Sequence, residues 1–354
     1  MNTPNLFDYA TSELSQDAFL LWLLDWANPI YVDADCELHK AALVFVRKMM
    51  DMPNDWQIKS VKCYKQKYHI DVLAVINGEY ALIIEDKTAT KEHGKQINKY
   101  SKCLKNDPEF SKLIQRCVYY KSGNESLASI GKLEDFYKGK NLKIVMRKEV
   151  IDILSPFANR ISNPIFVDYV SHINKLDEKT QSYLVEPAGK WSNEAWQGFY
   201  LALEDKLNMG DWGIDYHHKG FMMPVLPNVE DKKYDIQLYL YLDSSRNLCV
   251  KAKCKAKNVS NDVLASIVKI LKANMLVHPE LNGLIFDGKP SKIEKDTKDV
   301  KLIEIKRLGT KKTMFVSKSR SFSDQSSAIV PQLKILQGQL SIVVDELLEK
   351  MILQ

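Results

Sequence analysis

The sequence predicts an α/β core with a mixed central sheet flanked by helices, followed by a smaller α+β domain. Two uninterrupted apolar runs, 72–76 and 81–84, surround Asn77-Gly78, the strongest short signal for a hairpin. Runs of this kind are typical of central strands that are covered on both faces. Helical patterns precede and follow the hairpin, and the second half of the chain is rich in strand patterns. Together these observations favour helices packed on a central sheet.

The first half of the chain predicts helices, then three strands, then a helix and another strand. Thr11-Ser12 can cap the first helix, whose apolar residues recur at helical spacing. Turn residues at 51–55 end the second helix. The predicted elements outside the hairpin are helix 13–26, helix 37–50, strand 57–65, a helix that contains Gln96, strand 117–120, strand 142–146, helix 149–157 and helix 165–185.

The second half predicts a separate α+β domain over 190–354, after a first domain over 1–185. The segment 186–189 is the best linker candidate, and Ser192-Asn193 can cap a new helix. The predicted elements are strands 213–216, 221–226, 234–242 and 248–257, helix 262–275, two more strands, and a C-terminal helix over 326–352.

Composition and charge permit nucleic-acid binding without requiring it. The chain has 354 residues, enough for two domains with cores of their own, and its net charge of +5 allows local basic patches. Its six cysteines form no C-x-x-C pair, so neither a zinc site nor a disulfide framework is indicated. No signal peptide opens the chain, and no apolar run reaches the roughly 18 residues of a membrane span. We therefore expect a cytoplasmic protein without a membrane partner.

Three polar residues interrupt the predicted hairpin: Asp71, Glu85 and Lys87. Glu85 and Lys87 are two apart on one strand, so their side chains leave the same face. Carboxylates on a rigid sheet edge suit Mg²⁺ or Mn²⁺. A neighbouring lysine can polarise a water and offset the charge that develops on a phosphate. Two acids and a lysine therefore form a minimal site for hydrolysis of a phosphodiester bond.

The turn between the two strands decides whether Asp71 joins the other two residues. A two-residue loop of Asn77 and Gly78 would pair Asp71 with Ile84 and point it away from Glu85. An odd-length loop, or one bulge, restores the parity and sets both carboxylates side by side. We predict such a loop or bulge, because the site cannot form without it.

These residues resemble the PD-(D/E)XK nuclease superfamily, whose motif is an Asp, a gap and then (D/E)-x-K. Asp71 fills the first position, with Ile70 where the name-giving proline would stand, and Glu85-Asp86-Lys87 fills the second. The resemblance covers roughly residues 10–155. It implies a restriction-endonuclease-like αβββαβ core that uses Mg²⁺, with Mn²⁺ as a substitute.

Two helices extend the resemblance. After the hairpin, His93, Gln96 and Tyr100 are spaced to share one helical face, and a Q-x-x-x-Y helix resembles the branch related to bacterial recombination nucleases. The pattern E-L-S-x-x-A-F-L-x-W-L-L, beginning at Glu13, resembles the N-terminus of a bacterial subgroup. The resemblance implies that Gln96 and Tyr100 orient the scissile strand, joined by His93. It also implies Glu13 as a further metal ligand or water-orienting acid, with Asp17, one turn later, as the weaker candidate.

The leading hypothesis is a metal-dependent nuclease that hydrolyses phosphodiester bonds, with DNA as the favoured substrate. Asp71 and Glu85 would bind Mg²⁺. Glu13, through a water, and the backbone carbonyl of Asp86 would add oxygen ligands, while Lys87 would position or activate the attacking water. Cleavage of both strands of a duplex is compatible with a homodimer, and analogy at the level of the fold suggests restriction, repair or anti-phage defence.

Other interpretations of the same residues stay open. An E-x-K on a strand is often a solvated salt bridge, as we expect for Glu304 and Lys306, which lack a hairpin Asp and a Q-x-x-x-Y helix. Glu13 can serve the helix dipole, His93 can be a surface residue, and Tyr100 can be a packing residue. The competing functional class is a non-catalytic module that keeps the nuclease fold and binds nucleic acid or protein. A third is a toxin directed at RNA.

The second domain offers little chemistry of its own. Lysines at every second position of 251–257 would line one strand face, where they could follow a phosphate backbone or block edge-to-edge pairing. We favour a solvated face. His217 and His218 are adjacent and would face opposite sides of a strand, so we expect structural or surface roles for them.

Overall fold

The computed structural model describes residues 4–10, 12–92, 95–207, 209–215, 220–231, 236–254, 259–288, 298–307 and 315–352. The chain folds into two compact units. The first comprises Met1–Glu125 and Ile130–Glu178, and the second comprises Ser126–Ser129 and Lys179–Gln354.

The sheet of the first unit has five strands: β1 (Val61–Lys65), β2 (Val72–Ile76), β3 (Tyr80–Lys87), β4 (Ile114–Lys121) and β5 (Leu142–Met146). They lie side by side in chain order. The pairs β1–β2 and β2–β3 are antiparallel, whereas β3–β4 and β4–β5 are parallel. Parallel neighbours need crossover connections, which helices supply here. This mixed sheet confirms the predicted α/β class of the core.

Helices lie on both faces of this sheet. They are α1 (Glu13–Asp25), α2 (Cys36–Met50), α3 (Gln96–Asn106), α4 (Leu127–Phe136), α5 (Arg147–Leu154) and α6 (Pro164–Gln181). Residues of α1, α2, α5 and α6 share one core with Val72 and Ile84. Residues of α3 and α4 share another core with Leu73 and Ile83. Successive strand residues enter opposite cores, and this two-sided burial explains the uninterrupted apolar runs.

The hairpin between β2 and β3 has a three-residue loop, so the prediction of an odd-length loop is confirmed. Ile76 pairs with Tyr80, which leaves Asn77, Gly78 and Glu79 in the loop. Asn77 and Gly78 adopt positive φ angles of 58° and 67°. Asn and Gly tolerate this left-handed region better than other residues. Because the loop has an odd number of residues, Asp71 and Glu85 can lie on the same face of the sheet, as the candidate site requires.

The second unit has a six-stranded sheet: β6 (Gly213–Asp215), β7 (Gly220–Asp231), β8 (Ile236–Asp243), β9 (Leu248–Cys254), β10 (Leu284–Asp287) and β11 (Lys298–Arg307). The strand order is β10-β11-β9-β8-β7-β6, and every pair is antiparallel. Its helices are α7 (Asn193–Glu204), α8 (Asn261–Leu276) and α9 (Phe322–Ile352). Buried residues of these helices form one core with one face of the sheet.

Several element ends differ from the prediction. The helix predicted over 165–185 ends at Gln181 and is followed by a 3₁₀ turn, Ser182–Leu184. The strand predicted over 57–65 begins only at Val61. Helix α4 has no counterpart in the prediction, because Gly131 in its interior weakens its helical pattern.

The segment 186–189 is tied into the second unit by its backbone. The N–H groups of Ala188 and Gly189 donate to the carbonyl oxygens of Arg320 and Lys318, at 2.9 and 2.8 Å.

No described helix combines the length and the apolar character needed to cross a membrane.

Candidate active site

Asp71, Glu85 and Lys87 meet at the end of the β2–β3 ladder. Because Val72 pairs with Ile84, the register continued by one residue sets Asp71 opposite Glu85. Lys87 lies two residues further along β3, so its side chain leaves the same face as that of Glu85. Its Nζ lies 2.5 Å from Glu85 Oε1 and 3.7 Å from Asp71 Oδ2. The structure brings these three residues together in one ion-paired group.

This group is largely withdrawn from solvent. Glu85 is 0% exposed and Lys87 is 6% exposed. Burial, reinforced by the charge of Asp71, raises the pKa of Glu85 to about 7, although Lys87 opposes the shift. Burial alone would lower the pKa of Lys87, but its ion pairs with Glu85 and Asp71 raise that pKa. The lysine therefore stays charged, while the glutamate titrates near neutral pH.

The backbone of Asp86 holds two members of the group in place. Its N–H donates to Asp71 Oδ2 at 3.0 Å, and its carbonyl accepts a hydrogen bond from Lys87 Nζ at 2.9 Å. The carbonyl that was expected to bind a metal is thus engaged by Lys87 in this structure. The contact fixes the lysine head group between the two acids.

Glu13 begins α1 and lies beside the ion-paired group. Its Oε1 accepts hydrogen bonds from Thr88 N at 3.0 Å and from Thr90 Oγ1 at 2.9 Å. Burial tends to raise the pKa of Glu13, but these hydrogen bonds and the charge of Lys87 lower it. Glu13 is therefore an ionised acid near Lys87. In the described part of the chain it has no hydrogen bond to the other two acids.

Helix α3 brings Tyr100 and Gln96 toward the same face. Gln96 Nε2 lies 3.4 Å from the Tyr100 hydroxyl and donates a hydrogen bond to it. Burial, followed by the charge of Glu85, raises the pKa of Tyr100, so its hydroxyl stays protonated. The helix start is fixed by Glu92, whose Oε1 accepts from Gln96 N at 2.6 Å. His93 lies outside the described residues.

Two further acids, Asp17 and Asp86, lie on the α1 side of the sheet. The sequence indicated Asp17 as the weaker candidate of α1 and gave no role to the side chain of Asp86. Asp86 is 0% exposed, and Gln16 Nε2 donates a hydrogen bond to its Oδ1. Burial, followed by the charge of Asp71, raises the pKa of Asp17 to about 6. Burial, followed by the charge of Asp17, raises the pKa of Asp86 well above its ordinary value. The i, i+4 spacing of Glu13 and Asp17 is the sequence signal that Asp17 lies on the same side of α1 as Glu13.

Lys121 is a second lysine on the Glu85 face of the sheet, and sequence reasoning missed it. It ends β4, where the parallel register sets it beside Lys87. Its side chain is 1% exposed, and its Nζ donates to the carbonyl oxygen of Thr90 and lies 3.7 Å from Glu125 Oε2. Burial lowers the pKa of Lys121 to about 8, although Glu125 opposes the shift. Only the register between β3 and β4 reveals this residue.

The last residue of β4 and the two residues that follow it hold the segment after β3 against Glu13. Lys121 contacts the Thr90 carbonyl, and Ser122 N donates to Lys87 O at 3.2 Å. A Cβ at Gly123 would overlap the carbonyl oxygen of Thr88. The close approach at Gly123 therefore depends on the missing side chain. We call this arrangement the 121–123 clamp.

The second E-x-K motif also acquires an aspartate, so the expectation that it lacks one is wrong. Asp287 of β10 pairs with Glu304 of β11. Lys306 Nζ lies 3.2 Å from Asp287 Oδ2 and 3.4 Å from Glu304 Oε2. The side chains of Asp287, Glu304 and Lys306 are 66%, 25% and 28% exposed, so Asp287 is exposed while Glu304 and Lys306 are half-buried and in partial contact with solvent.

The remaining candidates of the second unit form no site in the described residues. Lys251 Nζ lies over the Tyr241 ring, 3.4 Å from its centroid, and Lys253 is exposed. The other two lysines of 251–257 and the pair His217-His218 lie outside the described residues.

The donor set has the chemistry of a site for a hard divalent cation. Asp71, Glu85 and Glu13 offer carboxylate oxygens, which Mg²⁺ and Mn²⁺ prefer. Both side-chain oxygens of Glu85 are buried and lack a well-formed hydrogen bond, so the ion pair with Lys87 compensates its charge. Among the described residues, no group of three or more Asp, Glu, His or Cys side chains is placed so that it could hold a metal ion by itself. Water and substrate oxygens would have to complete the ligands, as they commonly do for Mg²⁺.

No protein-family model, curated protein or solved structure matches this chain. The chemistry assigned to the site therefore depends on its own residues and their geometry.

Proposed function

We propose that this protein is a Mg²⁺-dependent nuclease with a restriction-endonuclease-like core of the PD-(D/E)XK type, and that DNA is its substrate. The observation that carries the proposal is the buried meeting of Asp71, Glu85 and Lys87, with Lys87 Nζ at 2.5 and 3.7 Å from the two carboxylates. The order of helices and strands around the hairpin supports it. A cytoplasmic setting in restriction, repair or defence, and a homodimer acting on duplex DNA, belong to the same proposal.

Each side chain has a distinct task in this proposal. Asp71 and Glu85 would hold the cation, which when bound acts as a Lewis acid on a phosphate oxygen and acidifies a water. Lys87 donates hydrogen bonds that orient the attacking water and offsets negative charge developing on the phosphate. Tyr100, protonated and held by Gln96, can donate a hydrogen bond to the scissile strand.

The burial of the ion pair argues against a purely structural role. Taking two charges out of water costs several kcal/mol per ion, and apolar residues of similar volume commonly stabilise a fold as well or better. A non-catalytic module that kept this fold would gain nothing from a fully buried Glu85 beside Lys87. A site that must receive a cation and a phosphate needs both charges.

Cleavage assays on four substrates test the proposal. Supercoiled plasmid, linear duplex, single-stranded DNA and single-stranded RNA would be incubated with Mg²⁺, Mn²⁺ or EDTA. We expect metal-dependent cleavage of DNA that Lys87→Ala reduces by about 100-fold or more, the effect of losing one donor to a developing charge. The matched control is Lys306→Ala, which removes the lysine of the exposed E-x-K and should leave the rate unchanged.

The outcomes separate the functional classes. Equal cleavage by wild type and Lys87→Ala, or none on any substrate, would support the non-catalytic module. Cleavage of RNA with DNA intact would support the RNA-directed toxin. Loss of cleavage in Lys306→Ala as well would mean that the effect of Lys87→Ala is not specific to the buried site.

A further inference from the structure

A groove beside α3 has the chemistry of a phosphate-binding surface. Its volume is about 680 Å³, and it lies between α3, the start of β4 and the turn that precedes β5. Three exposed lysines, Lys102, Lys105 and Lys140, stand around it, above an apolar floor that includes Ile97 and Tyr137. None of the described residues that line the groove is Asp or Glu. The groove therefore concentrates positive charge without local neutralisation.

The groove is continuous with the α3 end that meets the candidate active site. Lys95, the residue before α3, lies over the Phe136 ring with its Nζ 4.9 Å from the centroid. Lys140 Nζ lies 5.4 Å from the same centroid. The hydroxyl of Tyr137, on the groove floor, donates at 3.0 Å to Glu92 Oε1, which also accepts from Gln96 N. A track of lysines and one exposed aromatic ring thus joins the groove to the start of α3.

Lys140 is held in an orientation suited to an anion. Its Nζ donates to Asn98 Oδ1 at 3.1 Å, which fixes its head group at the groove edge without cancelling its charge. Lys102 and Lys105 lie on α3, one turn apart. The eleven residues of α3 span about 16 Å. Measured along the axis of duplex DNA, that length corresponds to roughly five base-pair steps.

We propose that this groove binds the phosphodiester backbone of the nucleic acid that enters the active site. The inference deepens the proposed function and depends on it for the identity of the ligand. Lys102, Lys105 and Lys140 would each contact phosphate oxygens, and Lys95 with Phe136 would guide the strand from the groove to the start of α3. Contacts of this kind fix the register of the strand and carry no sequence information.

Binding measured without turnover tests the groove separately from catalysis. The probe is a labelled 30-base-pair duplex in EDTA, followed by fluorescence anisotropy over a series of salt concentrations. The variant Lys102→Gln/Lys105→Gln/Lys140→Gln should weaken binding about tenfold or more and reduce the slope of log K against log salt by about 1 to 3, since each phosphate contact contributes about 0.9. Labelled single-stranded DNA and RNA form parallel arms that identify which backbone binds best.

The matched control changes three lysines on helices of the opposite sheet face. Lys40→Gln/Lys48→Gln/Lys148→Gln alters net charge equally and should preserve both affinity and salt slope. Equal weakening by both triple variants would overturn the proposal, because net charge alone would then explain binding. Competition by polyglutamate as strong as that by unlabelled duplex would also overturn it, since the groove would then not distinguish a phosphodiester backbone from an acidic polypeptide.

Cleavage kinetics separate failure of the groove from failure of the active site. If the proposed function holds, the groove variant should raise KM for a long duplex and leave kcat unchanged. If no DNA is cleaved but the groove lysines still contribute to the salt dependence of binding, the nuclease proposal is refuted and the groove proposal stands. Cleavage with unchanged KM and salt slope would refute the groove and retain the nuclease.

Discussion

Two parts of this chain build the same three-residue arrangement in different surroundings. In each, an aspartate lies across an antiparallel pair from the glutamate of an E-x-K, and the lysine contacts both acids. Asp71, Glu85 and Lys87 do so in the first unit, and Asp287, Glu304 and Lys306 in the second. We call them the buried triad and the exposed triad, because Glu85 and Lys87 are buried, whereas Glu304 and Lys306 are partly in water. The local motif is therefore common to both, and only the surroundings differ.

The difference in burial changes what each triad can do. Glu85 is 0% exposed, and Glu304 has a quarter of its side chain in water. At low local dielectric a carboxylate without full compensation attracts a cation strongly, whereas water screens the exposed acid. Burial raises the pKa of Glu85 to about 7, which shows how unfavourable its charge is in the absence of further positive charge. A divalent cation therefore has more to gain at the buried triad.

The largest expected difference between the triads is in catalysis. Asp71→Asn should lower the rate of metal-dependent DNA cleavage by at least about 100-fold, because it removes the negative charge of a proposed metal ligand. Asp287→Asn should change the rate by less than about twofold, as for other exposed ion pairs. Single-turnover rates on linear duplex, with circular dichroism to check folding, give the comparison. Similar losses in the two variants would mean that the exposed triad also acts on substrate.

The next difference concerns stability. Lys87→Met leaves Glu85 buried without its partner and should lower the free energy of unfolding by about 3 kcal/mol at pH 8. Lys306→Met should lower it by less than about 1 kcal/mol, because water reaches that pair and screens it. Urea denaturation followed by circular dichroism measures both.

A double variant sharpens this second prediction. Lys87→Met/Glu85→Gln removes both buried charges and should recover most of the lost stability. No recovery would mean that Lys87 stabilises the fold by packing and not by charge.

The triads should also differ in their response to pH. The folded pKa of Glu85, about 7, lies above its ordinary value of 4.5, so protonated Glu85 stabilises the fold below about pH 4.5 and this stability is lost as pH rises through 7. Metal-free protein should therefore lose stability between pH 5 and pH 8. Asp17, with its pKa raised to about 6, adds a loss of the same sign. Mg²⁺ should reverse the trend, because it binds the ionised acid.

Thermal unfolding in EDTA and in Mg²⁺, measured over this pH range, checks the response. Glu85→Gln should remove most of the pH-dependent stabilisation by Mg²⁺, and Glu304→Gln should leave it intact. A Mg²⁺ effect that is equal at pH 5 and pH 8 would contradict ionisation of Glu85 as the step that admits the cation.

Local patterns were enough to predict the hairpin and the buried triad. The apolar runs around Asn77-Gly78 identified both strands, and the need for Asp71 and Glu85 to share a face led to the odd-length loop. Propensity alone favours a two-residue turn at Asn-Gly. The odd-length loop was predicted only because a metal site needs both carboxylates on one face. The helix with Gln96 and Tyr100 followed from i, i+4 spacing.

Contacts between distant segments were beyond local patterns. Lys121 lies beside Lys87 only because β3 and β4 are parallel, and a parallel register depends on the length and packing of the intervening helix. The pairing of Asp287 with Glu304 is likewise a register between strands joined by a long connection. For the same reason sequence reasoning could rank the two E-x-K motifs by burial but could not recognise that both have an aspartate.

The smallest predicted effect concerns the 121–123 clamp, which holds the segment that follows Lys87 of the buried triad. Gly123→Ala places a methyl group on the Thr88 carbonyl oxygen, so the backbone must move and the donors that Thr88 and Thr90 present to Glu13 must shift. We expect a loss of about 1 to 3 kcal/mol in stability, as for other overpacked sites.

The same displacement should lower the cleavage rate by about tenfold, less than the loss expected for Asp71→Asn, because small misplacements near reacting groups slow catalysis. Gly131→Ala is the matched control: no atom lies within 4 Å of its added Cβ, and its place inside α4 should make alanine neutral or slightly stabilising. Cleavage rate and thermal midpoint are measured for both variants. A Gly123→Ala protein that cleaves like wild type would show that the orientation of Glu13 does not matter to the buried triad.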